Sequence, residues 1–237
     1  MDIKAILFDK DGTLIDFDAF WISVSVAAVK DILSRTGAGD DMLPEILGAI
    51  GVHGGITDPD GLLCRGTYGE IGLKIRKVLS GHGIRLSEEE AVRMTEDAFS
   101  RSAGLGTVKP VCAGLRGVLE RLKECGLRLF VVTTDNPEVT HICLKKLNIE
   151  DLFEKVITDD GVIPPKPDPR CALDFSAESG IPAGEIAMVG DTLTDVEFAR
   201  NAGMRMIYVG KSAEAGELAD ARISDVSHIF EIIGERL

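Results

Sequence analysis

The sequence lacks any long apolar run. Its 237 residues contain no stretch of the roughly 18 uninterrupted apolar residues that a membrane span needs. Near the N-terminus, only a short apolar run, residues 5–8, follows Asp2 and Lys4. The sequence therefore predicts a cytoplasmic protein with no signal peptide and no membrane partner.

Sulfur and histidine ligands are few and scattered. The five cysteines are odd in number, no CxxC occurs, and the four histidines lie in unrelated parts of the chain. Most of the cysteines lie inside apolar segments, as Cys143 does, which indicates buried, reduced thiols. A zinc site or a histidine metal site is therefore disfavoured.

Basic charge is in the minority. The chain has 26 Lys and Arg against 39 Asp and Glu, so its formal net charge is −13, and a field of this sign repels polyanions. Broad nucleic-acid binding is excluded on these grounds, whereas a local basic pocket is not. Hydrophobic residues make up 45% of the chain, which is an ordinary globular composition. The oligomeric state does not follow from the sequence.

Short apolar runs alternate with amphipathic helical patterns along most of the chain. The helical patterns carry apolar residues at three- and four-residue spacing. The expected strands are residues 3–8, 127–133, 155–158, 186–189 and 204–209, and the expected helices between them are 115–124, 138–147, 170–179 and 193–201. This alternation predicts an α/β fold with a doubly wound parallel sheet.

Residues 16–107 interrupt the alternation. They offer no convincing strand, only helical patterns separated by glycine-rich links such as residues 51–61. The expected helices are residues 19–34, 41–50, 68–80 and 88–100. We interpret the chain as an α/β core domain of residues 1–15 and 108–237, with an inserted all-helical domain of residues 16–107.

Polar side chains follow several of the predicted strands. Asp9 and Asp11 follow the first strand, and Thr133 ends the strand at 127–133. Asp191 follows another strand, with Asp195 one helical turn further on. Ligands of an open parallel sheet bind beyond the carboxyl ends of its strands. Either a cation lies among these carboxylates or some stay protonated, and an all-oxygen ligand set suits Mg²⁺.

These residues belong to four motifs that follow one another along nearly the whole chain. The motifs are Asp9-Lys10-Asp11-Gly12-Thr13, Thr133 after Leu129-Phe130-Val131-Val132, Lys166 in Pro165-Lys166-Pro167-Asp168-Pro169, and Gly190-Asp191-Thr192-Leu193-Thr194-Asp195. In residue type, order and interval they resemble the four motifs of the haloacid dehalogenase-like hydrolases. The phosphatases of that family carry DxDGT, and the chain is similar to the phosphoglycolate phosphatase group, which has a helical cap.

The resemblance implies a phosphatase that hydrolyses a small phosphorylated metabolite through an aspartyl-phosphate intermediate. Asp9 would be the nucleophile, and Asp11 the general acid and base. Lys166 and Thr133 would bind the phosphoryl group. Phosphoglycolate is the first candidate substrate on resemblance alone. Lys10, between the two aspartates, is expected to point away from both if the strand continues.

The resemblance also implies a metal site and a cap. Mg²⁺ would be bound by Asp9, Asp191 and the backbone carbonyl of Asp11, with Asp195 supporting the site. The inserted domain would be a cap that closes over a small substrate and excludes water. Within it, Arg65 is the first candidate for contact with a second anionic group of the substrate, although a solvated charge on the helix face is the better explanation of this residue taken singly.

Three other functions fit parts of the same pattern. A phosphosugar mutase and a pyrophosphatase use the same core, and a non-catalytic binding protein can keep the same fold. The segment that follows Ile50 lacks the arginine-rich sequence expected of the mutase group. Intact Asp9, Asp11, Lys166 and Asp191 argue against the binding protein, and Asp11 favours phosphate ester hydrolysis over dehalogenation.

Overall fold

The structure is a computed structural model that describes residues 2–210 and 212–234. Packing divides the chain into two compact units, one formed by Met1–Asp16 with Val108–Leu237 and the other by Phe17–Thr107. We call them the core unit and the inserted unit. That the inserted unit serves as a cap stays a prediction.

The secondary structure alternates along the core unit and is mainly helical in the inserted unit. The strands in chain order are β1 (Ala5–Phe8), β2 (Val52–His53), β3 (Ile56–Thr57), β4 (Arg128–Val132), β5 (Lys155–Ile157), β6 (Ile186–Gly190), β7 (Arg205–Tyr208) and β8 (Ala221–Arg222). The helices are α1 (Phe17–Thr36), α2 (Leu43–Ala49), α3 (Leu62–Arg65), α4 (Tyr68–Gly81), α5 (Glu88–Ala103), α6 (Leu115–Glu124), α7 (Pro137–Lys146), α8 (Arg170–Ser179), α9 (Leu193–Ala202), α10 (Ala213–Glu217) and α11 (Phe230–Ile233). Across the described ranges, no helix is both long and apolar enough to cross a bilayer.

The core unit contains a six-stranded sheet in the order β5-β4-β1-β6-β7-β8, and every neighbouring pair is parallel. β1 lies between β4 and β6, so residues 5–8 pair with residues 128–131 on one side and with residues 186–189 on the other. Every residue of β1 and β6 is buried, as expected of parallel strands that are covered on both faces. The predicted α/β class with a parallel sheet is confirmed.

A continuous apolar cluster covers one face of this sheet. Side chains alternate between the two faces of a strand, so every second residue of four neighbouring strands enters the cluster. Residues of α8, α9 and α10 also enter it, and the strand residues are Ala5, Leu7, Phe130, Val132, Ile186, Met188, Met206 and Tyr208. The rings of Phe130 and Phe175 lie with their centroids 4.3 Å apart. This packing fixes the strand ends that position the site.

The inserted unit is not all-helical as predicted, because it contains a short β-hairpin. β2 pairs with β3 in antiparallel fashion, and Gly54 and Gly55 between them have φ values of 59° and 83°, which suit a tight hairpin turn. The Asp18 carboxylate fixes the hairpin, because the N–H and the hydroxyl of Thr57 both donate to its Oδ1, at 3.1 and 2.6 Å. Strands of two residues are too short to show periodicity, so the sequence predicts only a glycine-rich link in this segment.

The packing of Phe130 gives a prediction about stability. Replacing Phe130 with Ala leaves a cavity beside Phe175, and we expect the free energy of unfolding to fall by about 3–5 kcal/mol. Urea unfolding followed by circular dichroism measures this loss. Leu173→Ala on the exposed face of α8 is the control, with an expected change within about 0.5 kcal/mol. A Phe130→Ala loss no larger than that of the control would contradict the packing described here.

Candidate active site

Asp9 and Lys166 form a buried ion pair at the carboxyl end of β1. Asp9 directly follows β1, and its N–H donates to the carbonyl of Val189 at 2.8 Å, which continues the pairing with β6. Nζ of Lys166 lies 2.5 Å from Oδ1 of Asp9 and 2.6 Å from Oδ1 of Asp195. All three side chains are buried. The structure therefore brings together three residues that belong to three different motifs.

The loop between β5 and α8 carries Lys166 into this position. Asp168 donates its N–H to the carbonyl of Pro165 at 3.0 Å, which closes a turn around the lysine. The side-chain amide of Asn201, on α9, donates to the carbonyl of Pro167 at 3.0 Å. The loop is thus tied to itself and to α9, and Lys166 is only 7% exposed although it lies outside the regular elements.

Asp195 is held at the start of α9 by a reciprocal cap. Thr192 is the N-cap residue, and its Oγ1 accepts the N–H of Asp195 at 3.2 Å. In return, Oδ2 of Asp195 accepts the N–H of Thr192 at 3.0 Å and its hydroxyl at 2.6 Å. Because Oδ1 is bonded to Lys166, both oxygens of Asp195 are engaged with protein groups. This side chain is suited to support the site rather than to bind a ligand.

The loops after β1 and β6 fit closely against each other. Gly12 has a φ of +82°, and a Cβ at this position would lie 2.1 Å from Oδ2 of Asp191. The hydroxyl of the fully buried Thr13 donates to Oδ1 of Asp191 at 3.1 Å. Thr13 is a site residue that strand ends and charge alone do not predict, although its place in DxDGT is a signal that identifies it.

The cluster holds more carboxylate charge than Lys166 can neutralise. Among the described residues, Asp9, Asp191 and Asp195 each offer an oxygen, and these oxygens all lie within 4.8 Å of one another. Burial is the main cause that raises the pKa of Asp9 to about 7. Repulsion from Asp195 and Asp11 also raises this pKa, whereas the attraction of Lys166 lowers it. Burial and the charge of Asp9 also raise the pKa of Asp191 well above its usual value. Burial lowers the pKa of Lys166, but Asp195 and Asp9 outweigh it, so the pKa is raised and the ammonium keeps its charge.

This donor set fits a hard divalent cation. The cluster is made of carboxylate oxygens, it is buried, and its negative charge exceeds its positive charge, which are the conditions that suit Mg²⁺. Both oxygens of Asp195 are bonded elsewhere, so Asp9 and Asp191 are the side chains better able to bind it. Their assignment as metal ligands is a proposal.

Asp11 lies outside this cluster and contacts a different lysine. Nζ of Lys10 lies 2.8 Å from Oδ2 of Asp11 and 2.7 Å from Oδ2 of Asp135. The expectation that Lys10 points away from Asp11 is wrong, because β1 ends at Phe8 and the chain turns instead of continuing as a strand. Burial lowers the pKa of Lys10, but Asp11 and Asp135 outweigh it and the pKa is raised. Asp135 gave no signal in the sequence analysis.

Thr133 and Arg65 complete the set of predicted residues. Thr133 directly follows β4 and is buried, its N–H donates to the carbonyl of Ile157 at 3.0 Å, and its hydroxyl oxygen accepts the N–H of Asp135 at 3.2 Å. Arg65 lies in the inserted unit, its side chain is 69% exposed, and its guanidinium is 2.8 Å from the Asp60 carboxylate. The contacts of both residues with a phosphorylated substrate stay predictions.

The sheet and the cluster define a class of protein. It is a doubly wound α/β protein whose buried carboxylates and lysine lie beyond the carboxyl ends of the central strands, where such folds bind their ligands. Residues 3–203 match the haloacid dehalogenase-like hydrolase family, and the chain belongs to that family. The predicted family is confirmed, and with it the prediction that the protein is a hydrolase. Phosphatases are among the proteins similar to it.

The similar proteins agree with this assignment. A phosphoglycolate phosphatase of Rhodospirillum rubrum is 25% identical over 240 residues, which cover 99% of this chain and 90% of that protein. The pyrophosphatase PpaX of Bacillus velezensis is 27% identical over 235 residues and 96% of each chain. The crystal structure of the HAD hydrolase YfnB of Bacillus subtilis, bound to magnesium, is 16% identical, covers 99% of this chain and 100% of its own, and superposes with a TM-score of 0.71. At that identity the last comparison supports the fold alone.

The contact between Gly12 and Asp191 gives a prediction about activity. In Gly12→Ala the new Cβ collides with Asp191 and the positive φ is strained, so we expect kcat to fall about 100-fold through displacement of that carboxylate. Steady-state kinetics of phosphate release measure the effect. Gly126→Ala is a matched control, because Gly126 has a φ of +80° with no heavy atom near its Cβ position. Equal activities of the two variants would contradict the proposed importance of this contact.

The buried carboxylates also give a prediction about pH. The pKa of Asp9 rises from 3.8 to about 7 on folding, so the folded protein holds this proton more tightly than the unfolded chain. The metal-free protein should therefore lose stability as the pH rises between these values. Because Mg²⁺ favours the ionised carboxylates, we expect it to raise the melting temperature more at about pH 8 than at about pH 5. Differential scanning fluorimetry measures both shifts.

Asp191→Asn serves as the control for this measurement. Removing one carboxylate from the cluster should abolish most of the stabilisation by Mg²⁺ at the higher pH. A shift that is the same at both pH values, or that Asp191→Asn leaves undiminished, would show that Mg²⁺ stabilises the protein from elsewhere.

Proposed function

We propose that this protein is a Mg²⁺-dependent phosphatase that hydrolyses a small phosphate monoester through an aspartyl-phosphate intermediate on Asp9. The observation that supports this most directly is the contact of 2.5 Å between Asp9 and the buried ammonium of Lys166. A carboxylate attacks a phosphorus atom only where positive charge offsets its repulsion from the phosphate. Lys166 supplies such charge at the nucleophile itself.

In the first step a carboxylate oxygen of Asp9 attacks the phosphorus atom of the ester. The bond between phosphorus and the ester oxygen breaks, and the leaving oxygen takes a proton from the carboxyl group of Asp11. Lys166 stabilises the negative charge on the transferring phosphoryl group. The products of this step are the free alcohol, the phosphorylated Asp9 and the ionised Asp11.

In the second step a water molecule attacks the phosphorus atom of the intermediate. Asp11 now accepts a proton from that water, and the bond between phosphorus and the Asp9 oxygen breaks. Inorganic phosphate leaves, Asp9 is again a carboxylate, and Asp11 again carries its proton. Both steps use the same two aspartates, so the chemistry requires no further nucleophile or base.

Asp9, Asp191 and the backbone carbonyl of Asp11 are the groups that we propose to hold Mg²⁺, with Asp195 supporting the site. When bound, the metal supplies charge neutralisation for the phosphoryl oxygens and the nucleophile. Thr133, buried at the end of β4, is proposed to donate its hydroxyl to a phosphoryl oxygen. The inserted unit is proposed to act as a cap that excludes water, with Arg65 as a candidate contact for a second anionic group of the substrate.

The relatives guide the choice of substrates to test. The similarity to the Rhodospirillum rubrum enzyme makes phosphoglycolate the first candidate, and the similarity to the pyrophosphatase PpaX makes pyrophosphate the second. A phosphosugar mutase uses the same core chemistry, but it would transfer the phosphoryl group between sugar oxygens without net release of phosphate. Release of inorganic phosphate therefore separates a hydrolase from a mutase.

We expect phosphate release from at least one small monoester in a panel of phosphoglycolate, sugar phosphates, nucleotides and pyrophosphate. Removal of Mg²⁺ by a chelator should stop the reaction, and Asp9→Asn should lower kcat by roughly 10⁴-fold or more, because the nucleophile is lost. Asp174→Asn, on the exposed side of α8, removes a comparable charge from the same unit and should leave kcat unchanged.

Two results of this assay would contradict the proposal. Full activity in Asp9→Asn would refute the nucleophile, and activity that survives complete chelation would refute the metal-dependent site. Phosphoryl transfer within a sugar phosphate without phosphate release would instead favour the mutase.

A further inference from the structure

Lys10 lies between the two proposed catalytic aspartates in the sequence, and its side chain is completely buried in the core unit. Its ammonium contacts Oδ2 of Asp11 at 2.8 Å and Oδ2 of Asp135 at 2.7 Å. Asp135 lies 125 residues further along the chain, in the loop after β4. The lysine thus joins the loop of the first motif to the loop of the second through two contacts of its ammonium.

Asp135 is anchored by three contacts of its own. Its Oδ1 accepts the N–H of Asn136 at 2.8 Å, and its own N–H donates to the hydroxyl oxygen of Thr133 at 3.2 Å. Its carbonyl accepts the N–H of Asp159 at 3.0 Å. The backbone of Asp135 is therefore fixed by the turn after β4 and by the segment after β5, and its carboxylate is held by the N–H of Asn136. A rigid acceptor of this kind holds the Lys10 ammonium in one place.

The backbone around Lys10 is equally constrained. The carbonyl of Lys10 accepts the N–H groups of Leu14 and Ile15, at 2.9 and 3.0 Å, and the N–H of Gly12 donates to the carbonyl of Ile15 at 2.9 Å. These bonds close the turn that carries Asp11. With the backbone and the ammonium both fixed, the contact with Lys10 restricts the rotation of the Asp11 side chain.

Stability alone is a weak reason for a lysine at this position. Burying an ammonium has a large desolvation cost, and replacing a whole buried ion pair with apolar side chains of similar volume is often neutral or stabilising. One anchored carboxylate, that of Asp135, already pairs the charge. The additional contact reaches the one side chain in this loop that the proposed mechanism uses for proton transfer, and the Asp11 side chain keeps 18% exposure to solvent.

We propose that Lys10, anchored by Asp135, is a positioning residue that orients the Asp11 carboxyl group toward the leaving oxygen of the substrate. This inference rests on the proposed function, because it needs Asp11 as the general acid. Lys10 contacts neither the substrate nor the reacting phosphorus in this proposal and acts only through Asp11. Its loss should impair proton delivery more than substrate binding.

The test uses a series of phosphate monoesters whose leaving groups differ in basicity. An alkyl leaving group needs a proton as its bond to phosphorus breaks, whereas p-nitrophenolate leaves without one. Single-turnover release of the alcohol or phenol reports the first step alone. The full-length wild type, Lys10→Met, Lys10→Arg, Asp135→Asn and Asp11→Asn are compared across the series, with Lys155→Met as control for loss of an exposed lysine paired with Glu178 at 3.0 Å.

We expect Lys10→Met to slow the first step about 10- to 100-fold for alkyl phosphates, with a much smaller loss for p-nitrophenyl phosphate and little change in KM. Asp11→Asn should show the same selectivity to a greater degree. Lys10→Arg should recover part of the rate, and Asp135→Asn should show a weaker form of the Lys10→Met pattern. Lys155→Met should match the wild type throughout the series.

An equal loss for all leaving groups in Lys10→Met, with a selective loss in Asp11→Asn, would overturn the inference and leave Lys10 a structural residue. If Lys10→Met does not fold, Asp135→Asn decides, because it keeps the lysine and removes the charge that anchors it. If the wild type hydrolyses no ester of the series, or if Asp11→Asn shows no selectivity, the proposed function fails and this inference fails with it.

Discussion

The contact of Lys166 with Asp9 and Asp195 is the interaction on which the site depends. A buried ammonium is stable only when its partners lie within hydrogen-bonding distance, and here they come from the end of β1 and the first turn of α9. Lys166 itself lies on the loop that follows β5, and β4 separates that strand from β1 in the sheet. The charge requirement therefore fixes three separate segments against one another more strictly than apolar packing alone would do.

The site contains more buried carboxylates than lysines, so its charges are not balanced. Burial and repulsion from neighbouring carboxylates raise the pKa of both Asp9 and Asp191, because the fold holds more carboxylates together than one lysine can compensate. Repulsion between the ionised carboxylates thus destabilises the site, and a cation bound among them would relieve that repulsion. Gly12 belongs to this arrangement, because only a residue without a side chain lets the two loops approach so closely.

The sequence was sufficient to predict the residues at the strand ends but not those that connect them. Asp9, Thr133 and Asp191 directly follow buried apolar runs, and parallel strands place such residues at a common edge. The direction of Lys10 could not be predicted, because its partner Asp135 is distant in the chain and local periodicity carries no information about such pairs. The two-residue strands of the inserted hairpin and β8 are below the length at which alternation can be recognised.

The chain leaves and re-enters the core unit along a short antiparallel contact. Ile15 bridges Pro110, and the N–H of Asp16 donates to the carbonyl of Lys109 at 2.9 Å. These contacts hold the two ends of the insertion together within the core unit, and the entropy of closing a loop grows only slowly with its length. A change in the length of the inserted unit therefore costs the core unit little free energy, so that the two units can diverge separately in sequence and size.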